Sequence, residues 1–117
     1  MSLIKLDVPV ARDEDGYWSN PAIPDFDEDF DAYRAWLKAQ YIETKHAMLE
    51  SEKDGHPAYI AYYENDEPGC QLWNDQPPAG EGWHTFSIHD SEDGPCWVWA
   101  RRVGGALWQT SNFKDKP

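Results

Sequence analysis

Apolar positions along the chain follow two rhythms. Phe26, Phe30, Tyr33, Leu37, Tyr41, Thr44 and Met48 succeed one another at steps of three or four, the spacing that lines up side chains on one helix face. Trp36 and Ala47 widen this stripe into a surface that needs covering. The pattern predicts a helix from about Asp27 to Lys53. Asp25 and Asp27 are suitable N-caps, Glu28 completes a capping box with Asp25, and Gly55 followed by Pro57 is a stop signal.

The second rhythm is alternation. Residues 2–10 (SLIKLDVPV) interleave Ile4, Leu6 and Val8 with Lys5 and Asp7, an edge-strand pattern ended by Pro9. Residues 57–65 (PAYIAYYEN) also read as a strand, and CQLW at 70–73 as a short segment between polar loops. WHTFSIHD and CWVWARRV flank DSEDGP, the signature of an antiparallel hairpin. In this hairpin Trp97, Trp99 and Arg101 point one way and Cys96, Val98 and Ala100 the other, while Phe86 and Ile88 share a face opposite Trp83. Residues 11–24 form an acidic, irregular loop pinned by Tyr17, Trp18 and Ile23. Ala106 to Thr110 adds a last strand before a frayed tail at 111–117. The expected fold is α+β, a single domain over residues 1–117. One long amphipathic helix packs on a small antiparallel sheet of four to five short strands.

Composition sharpens this picture. The chain of 117 residues carries seven Trp, six Tyr and four Phe, so it is a folding sequence despite its mean hydropathy of −0.82. Its formal charge is −12, distributed unevenly: 16 acidic and 6 basic residues fall in 1–67, against 6 and 4 in 68–117. A chain so acidic repels phosphate backbones, which argues against direct nucleic-acid binding. No apolar run is long enough to cross a bilayer and the opening residues lack a signal-peptide pattern. The expectation is a cytoplasmic protein, away from membranes, with Cys70 and Cys96 reduced.

Four constellations are candidates for function. Asp25, Asp27, Asp29 and Asp31 alternate as in a calcium loop, but the sixth and twelfth positions are Phe30 and Trp36, where an EF-hand needs Gly and Glu. No metal or cofactor is expected. Together with Asp13, Glu14, Asp15 and Glu28 these residues instead form an acidic face suited to a basic partner, unless they serve only solubility. Trp83, Trp97, Trp99 and Arg101 are either the large core residues of a small domain or an aromatic platform for a partner, and the sequence leaves the register open. His89, Asp90 and Cys96 can be drawn as a nucleophilic trio, although no hydrolase, phosphate-loop or dinucleotide motif accompanies them. His84 and His89, five apart in a strand, fall on opposite faces and do not share a metal.

Over residues 80–102, GEGWHTFSIHDSEDGPCWVWARR is similar to a segment of small proteins from tailed bacteriophages and enterobacterial prophages. That family carries no assigned activity or catalytic residues. The resemblance implies a setting only, an accessory protein inside an infected or lysogenic bacterium. The resulting expectation is a non-enzymatic accessory protein whose acidic, aromatic-containing surface binds a host or phage protein with a basic surface. The alternatives are a DNA mimic that inhibits a nucleic-acid-binding defence protein, a homodimer built on the hairpin, and a small enzyme using His89, Asp90 and Cys96.

Overall fold

The computed structural model describes residues 3–52 and 55–103. It is α+β, with a four-stranded antiparallel sheet in the order β1-β3-β4-β2. The strands are β1 (Trp18–Ser19), β2 (Ile42–Met48), β3 (His84–Ser91) and β4 (Gly94–Arg102). Two short helical elements accompany them, α1 (Phe30–Ala39) and α2 (Pro57–Tyr59), the latter continuing into a π-helical turn at Ile60–Glu64. The expected last strand and tail lie outside the described residues.

Among the described residues no long amphipathic helix forms. The predicted 27–53 helix starts later, because Asp27 and Glu28 are left-handed, with φ of 51° and 68°. Asp29 is the N-cap, accepting from Ala32 N at 3.0 Å. The helix then stops at Ala39 where no glycine announces it. Gln40 caps it, and Tyr41 turns the chain with φ of 58°, the position usually taken by Gly. From Ile42 onward the chain is a strand, paired residue by residue with β4 from Ile42↔Arg102 to Met48↔Cys96. Thr44 and Met48 therefore keep their apolar-stripe positions by a different geometry.

Two predicted strands are also replaced. Residues 57–64 are helical: His56 Nδ1 accepts from Ala58 N at 3.0 Å and Pro57 follows at the first helical position, where its missing N–H costs nothing. Residues 70–73 form a turn. The opening segment, expected as an edge strand, bends at Leu6 and joins no ladder. Its backbone is held by Gln40, whose Oε1 accepts from Ile4 N at 2.8 Å, and by Arg102, which donates to Ile4 O.

The predicted hairpin is present, with Glu92 and Asp93 as its tip and Gly94 left-handed at φ of 100°. A β-bulge interrupts β3 between Thr85 and Ser87, giving the strand one extra residue. Phe86 and Ile88, expected together, consequently join different clusters. By the same extra residue, His84 and His89 face Ala100 and Cys96, so they share a side of the sheet instead of opposing.

Both faces of the sheet are covered. On one, Trp97 and Trp99 of β4 pack with Leu49, Ala58, Trp73 and Trp83. On the other, Cys96, Val98 and Ala100 pack with Phe86, Ile42 and Leu37, roofed by Trp36 and Tyr33. The alternation expected along β4 is the one observed. Cys70 and Cys96 belong to opposite faces and both are free.

Candidate functional site

The hairpin tryptophans are interior residues. Trp83, Trp97 and Trp99 are each less than a tenth exposed, and each indole N–H finds an acceptor. Trp97 Nε1 donates to Thr85 Oγ1 at 3.1 Å, Trp99 Nε1 to Asp75 Oδ2 at 2.7 Å, and Trp83 Nε1 to Ala79 O at 3.2 Å. Arg101 lies 4.6 Å over the Trp83 ring and pairs with Glu43 at 2.6 Å. As placed, these four residues form packed core and its lid. They do not present an open ring surface.

The catalytic trio does not converge. His89 and Cys96 are direct cross-strand partners, so they share a face. Asp90, the next residue on β3, projects to the opposite face, where Tyr62 Oη approaches its Oδ1 at 3.5 Å. Cys96 is buried and burial pushes its thiol pKa up, which disfavours the nucleophilic thiolate. The His89 ring is held instead by Ser87.

The acidic residues divide into two groups. Asp13, Glu14 and Asp15 belong to a loop clamped against residues 69–71 beside the tryptophan-rich core; Cys70 N donates to Asp15 O at 2.6 Å. Asp25 to Asp31 lead into α1, which covers the other face. Several carboxylates hold the protein's own backbone. Asp13 Oδ1 accepts from Asp15 N and Tyr17 N, and Asp25 Oδ1 from Asp27 N. Asp31 pairs with Arg34 at 2.5 Å. The run is therefore no continuous track of free charge. Among the described residues, no group of three or more His, Cys, Asp or Glu side chains is arranged to hold a metal.

Two of the cavities among the described residues are the larger and chemically richer ones. The first, of about 570 Å³, is walled by Tyr17, Tyr62 and Tyr63. The carboxylates of Asp15, Asp66, Glu67 and Asp90 line it, and no lining residue is basic. The Tyr62 and Tyr63 rings stand at 79° with centroids 4.8 Å apart, two walls of a corner. Tyr63 Oη donates to Asp93 O at 2.9 Å, tying the corner to the hairpin tip. Burial first, and then the Asp90 charge, push the Tyr17 and Tyr62 phenol pKa values up; for Tyr63 burial leads and Glu50 follows. The cleft combines π faces with a negative potential.

The second cavity, of about 640 Å³, lies between α1 and the opposite sheet face. Its floor carries a hydrogen-bonded chain: Ser19 Oγ lies 2.8 Å from Ser87 Oγ, which lies 2.9 Å from His89 Nδ1. His46 and Thr44 of β2 continue the floor, and Phe26, Phe30 and Tyr33 form the wall. Burial foremost, and His46 next, hold the His89 pKa below its ordinary value.

Comparison with family models, curated proteins and solved structures finds no match for the chain. The residues of the two cavities are thus the basis for a functional reading. Sequence reasoning missed Tyr62, Tyr63, Asp66 and Glu67 because a strand at 57–65 would send the adjacent tyrosines to opposite faces. The available signals were His-Pro at a helix start and Tyr59, Tyr62 and Tyr63 at helical spacing. It also missed Ser87 and His46, whose meeting depends on the bulge and on cross-strand register. Among the described residues no helix is long and apolar enough to cross a membrane.

Proposed function

We propose that the chain is a non-enzymatic accessory protein that binds a basic surface of a protein partner, with a lysine or arginine side chain of that partner seated in the tyrosine cleft. The observation that carries this reading is the Tyr62–Tyr63 corner, faced by Tyr17 and ringed by four carboxylates without a lining base. Cations are attracted to aromatic faces and to carboxylates, and an aromatic corner selects an organic cation over a hydrated metal ion. The phage or prophage setting expected from residues 80–102 would make that partner a host or phage protein.

Magnitudes limit what one such anchor achieves. A cation on a partly exposed ring is worth ~0.5–2 kcal/mol, and an exposed charge pair ~0–1 kcal/mol. Their sum, at most ~3 kcal/mol, falls short of the ~4 kcal/mol of a millimolar complex. A useful affinity therefore requires a partner that presents several cations and some apolar area around the inserted one.

The test is a heteronuclear NMR titration with a short, capped lysine-rich peptide at low and high salt. Saturable shifts at Tyr62, Tyr63 and Asp90 are expected, weakened at least tenfold by salt and abolished by Tyr62→Ala with Asp90→Asn. Replacing Asp25 and Asp27 by Asn should leave binding within twofold. No binding at low ionic strength, or equal loss from both pairs of substitutions, overturns the reading.

A further inference from the structure

We propose that the groove between α1 and the sheet is a second binding site, for a neutral planar heteroaromatic ring of the nucleobase class. It is separate from the tyrosine cleft, which lies against the other sheet face, and does not rest on it. The argument begins with the floor. Ser19, Ser87 and His89 form one hydrogen-bonded chain across β1 and β3, and Ser87 is only 8% exposed. The chain occupies His89 Nδ1, while its Nε2 has no partner among the described residues. The same is true of the His46 ring nitrogens and Thr44 Oγ1, which line the groove beside it.

This floor has no fixed polarity. With Ser87 donating to Nδ1, His89 presents an Nε2–H donor. With the other tautomer donating to Ser87, Nε2 becomes an acceptor. A ring edge carrying both donors and acceptors, as nucleobase edges do, is the partner that such a floor matches.

The walls and the charge restrict the class further. Phe26, Phe30 and Tyr33 offer ring faces, and Phe30 is 65% exposed at the mouth, more than an aromatic side chain needs for packing. An anionic ligand is disfavoured: Glu28 and Asp29 stand at the rim, and the lining cation Arg34 is already paired with Asp31. Burial foremost, and His46 next, disfavour the charged form of His89, with Asp90 opposing them, so the ring is a poor source of compensating positive charge. A free base or nucleoside fits these constraints, whereas a nucleotide brings a phosphate to a negative rim.

The experiment uses the full chain, with adenine, adenosine monophosphate and indole as probes. Calorimetry measures affinity and long-range ¹H–¹⁵N correlations follow the His46 and His89 rings. Adenine is expected to saturate with a Kd below ~1 mM and to shift the His89 Nε2 resonance, with adenosine monophosphate and indole each at least tenfold weaker. Phe30→Ala and His46→Ala, both at exposed positions, should weaken adenine at least fivefold without loss of fold. Tyr62→Ala should leave it unchanged. Absence of saturation at ~5 mM adenine, indole binding as tightly as adenine, or an unaltered His89 resonance on saturation overturns the proposal.

Discussion

The indole N–H of Trp99 donates to Asp75 Oδ2 at 2.7 Å, linking the middle of β4 to the loop that covers it. Trp99 is 8% exposed, so removing the acceptor leaves a donor with little access to water. Asp75→Ala should cost ~1–3 kcal/mol in chemical denaturation, and Trp99→Ala ~3–5 kcal/mol. A loss of self-association on Trp99→Ala would therefore report unfolding unless the denaturation midpoint is measured alongside. An Asp75→Ala protein as stable as the parent would show that the pair contributes nothing.

Tyr41 sits at φ of 58° between α1 and β2 and is 41% exposed. A left-handed backbone costs a side-chain-bearing residue ~1–2 kcal/mol that glycine avoids. Tyr41→Gly should raise stability by ~1 kcal/mol after the loss of modest ring contacts, read as a higher denaturant midpoint. A lower midpoint would mean that those contacts outweigh the strain.

The same residue explains what the sequence concealed. Helical steps from Phe26 to Met48 and strand alternation from Ile42 to Met48 both use Thr44 and Met48, and no glycine marks the change between them. Asp27 and Glu28, good helix-start residues by type, are left-handed and lie before the true cap. The hairpin was legible because strong alternation flanks a turn rich in Asp and Gly. Its division of β4 into an indole side and a Cys-Val-Ala side follows directly from period two. The face assignment along β3 was not legible, since one bulged residue reverses everything beyond it. The acidic run was visible as composition, but composition does not reveal which carboxylates bond to nearby N–H groups.

Gly94 lies under the tyrosine corner: with φ of 100°, a Cβ added there would collide with the Tyr63 hydroxyl. Gly94→Ala combines backbone strain of ~1–2 kcal/mol with displacement of Tyr63. Reduced stability and at least fivefold weaker binding of the lysine-rich peptide are expected, against Glu92→Gln as an exposed control on the same turn. Retention of full peptide affinity would separate the corner from cation binding.

Acidification should destabilise the fold through His89. Its folded pKa is held below the ordinary 6.5 by burial and by His46, with Asp90 opposing. The unfolded chain then binds more protons near and below pH 6.5, so this contribution is present above that pH and is lost as pH falls. Ser87, His46, Glu28, Asp29 and Arg34 share the groove. Thermal scans at about pH 7.5 and about pH 5.5 should show a larger drop for the parent than for His89→Asn. Equal drops would remove His89 as the source.

β4 is buried along nearly its whole length, with two large indoles turned one way and a thiol, a valine and a methyl the other. Sliding the hairpin by one position would drive tryptophan into the shallow layer beneath α1 and leave a void where the rings had been. Volume, as much as hydrogen bonding, thus proof-reads the alignment of the sheet. A mispaired hairpin carries its own packing penalty.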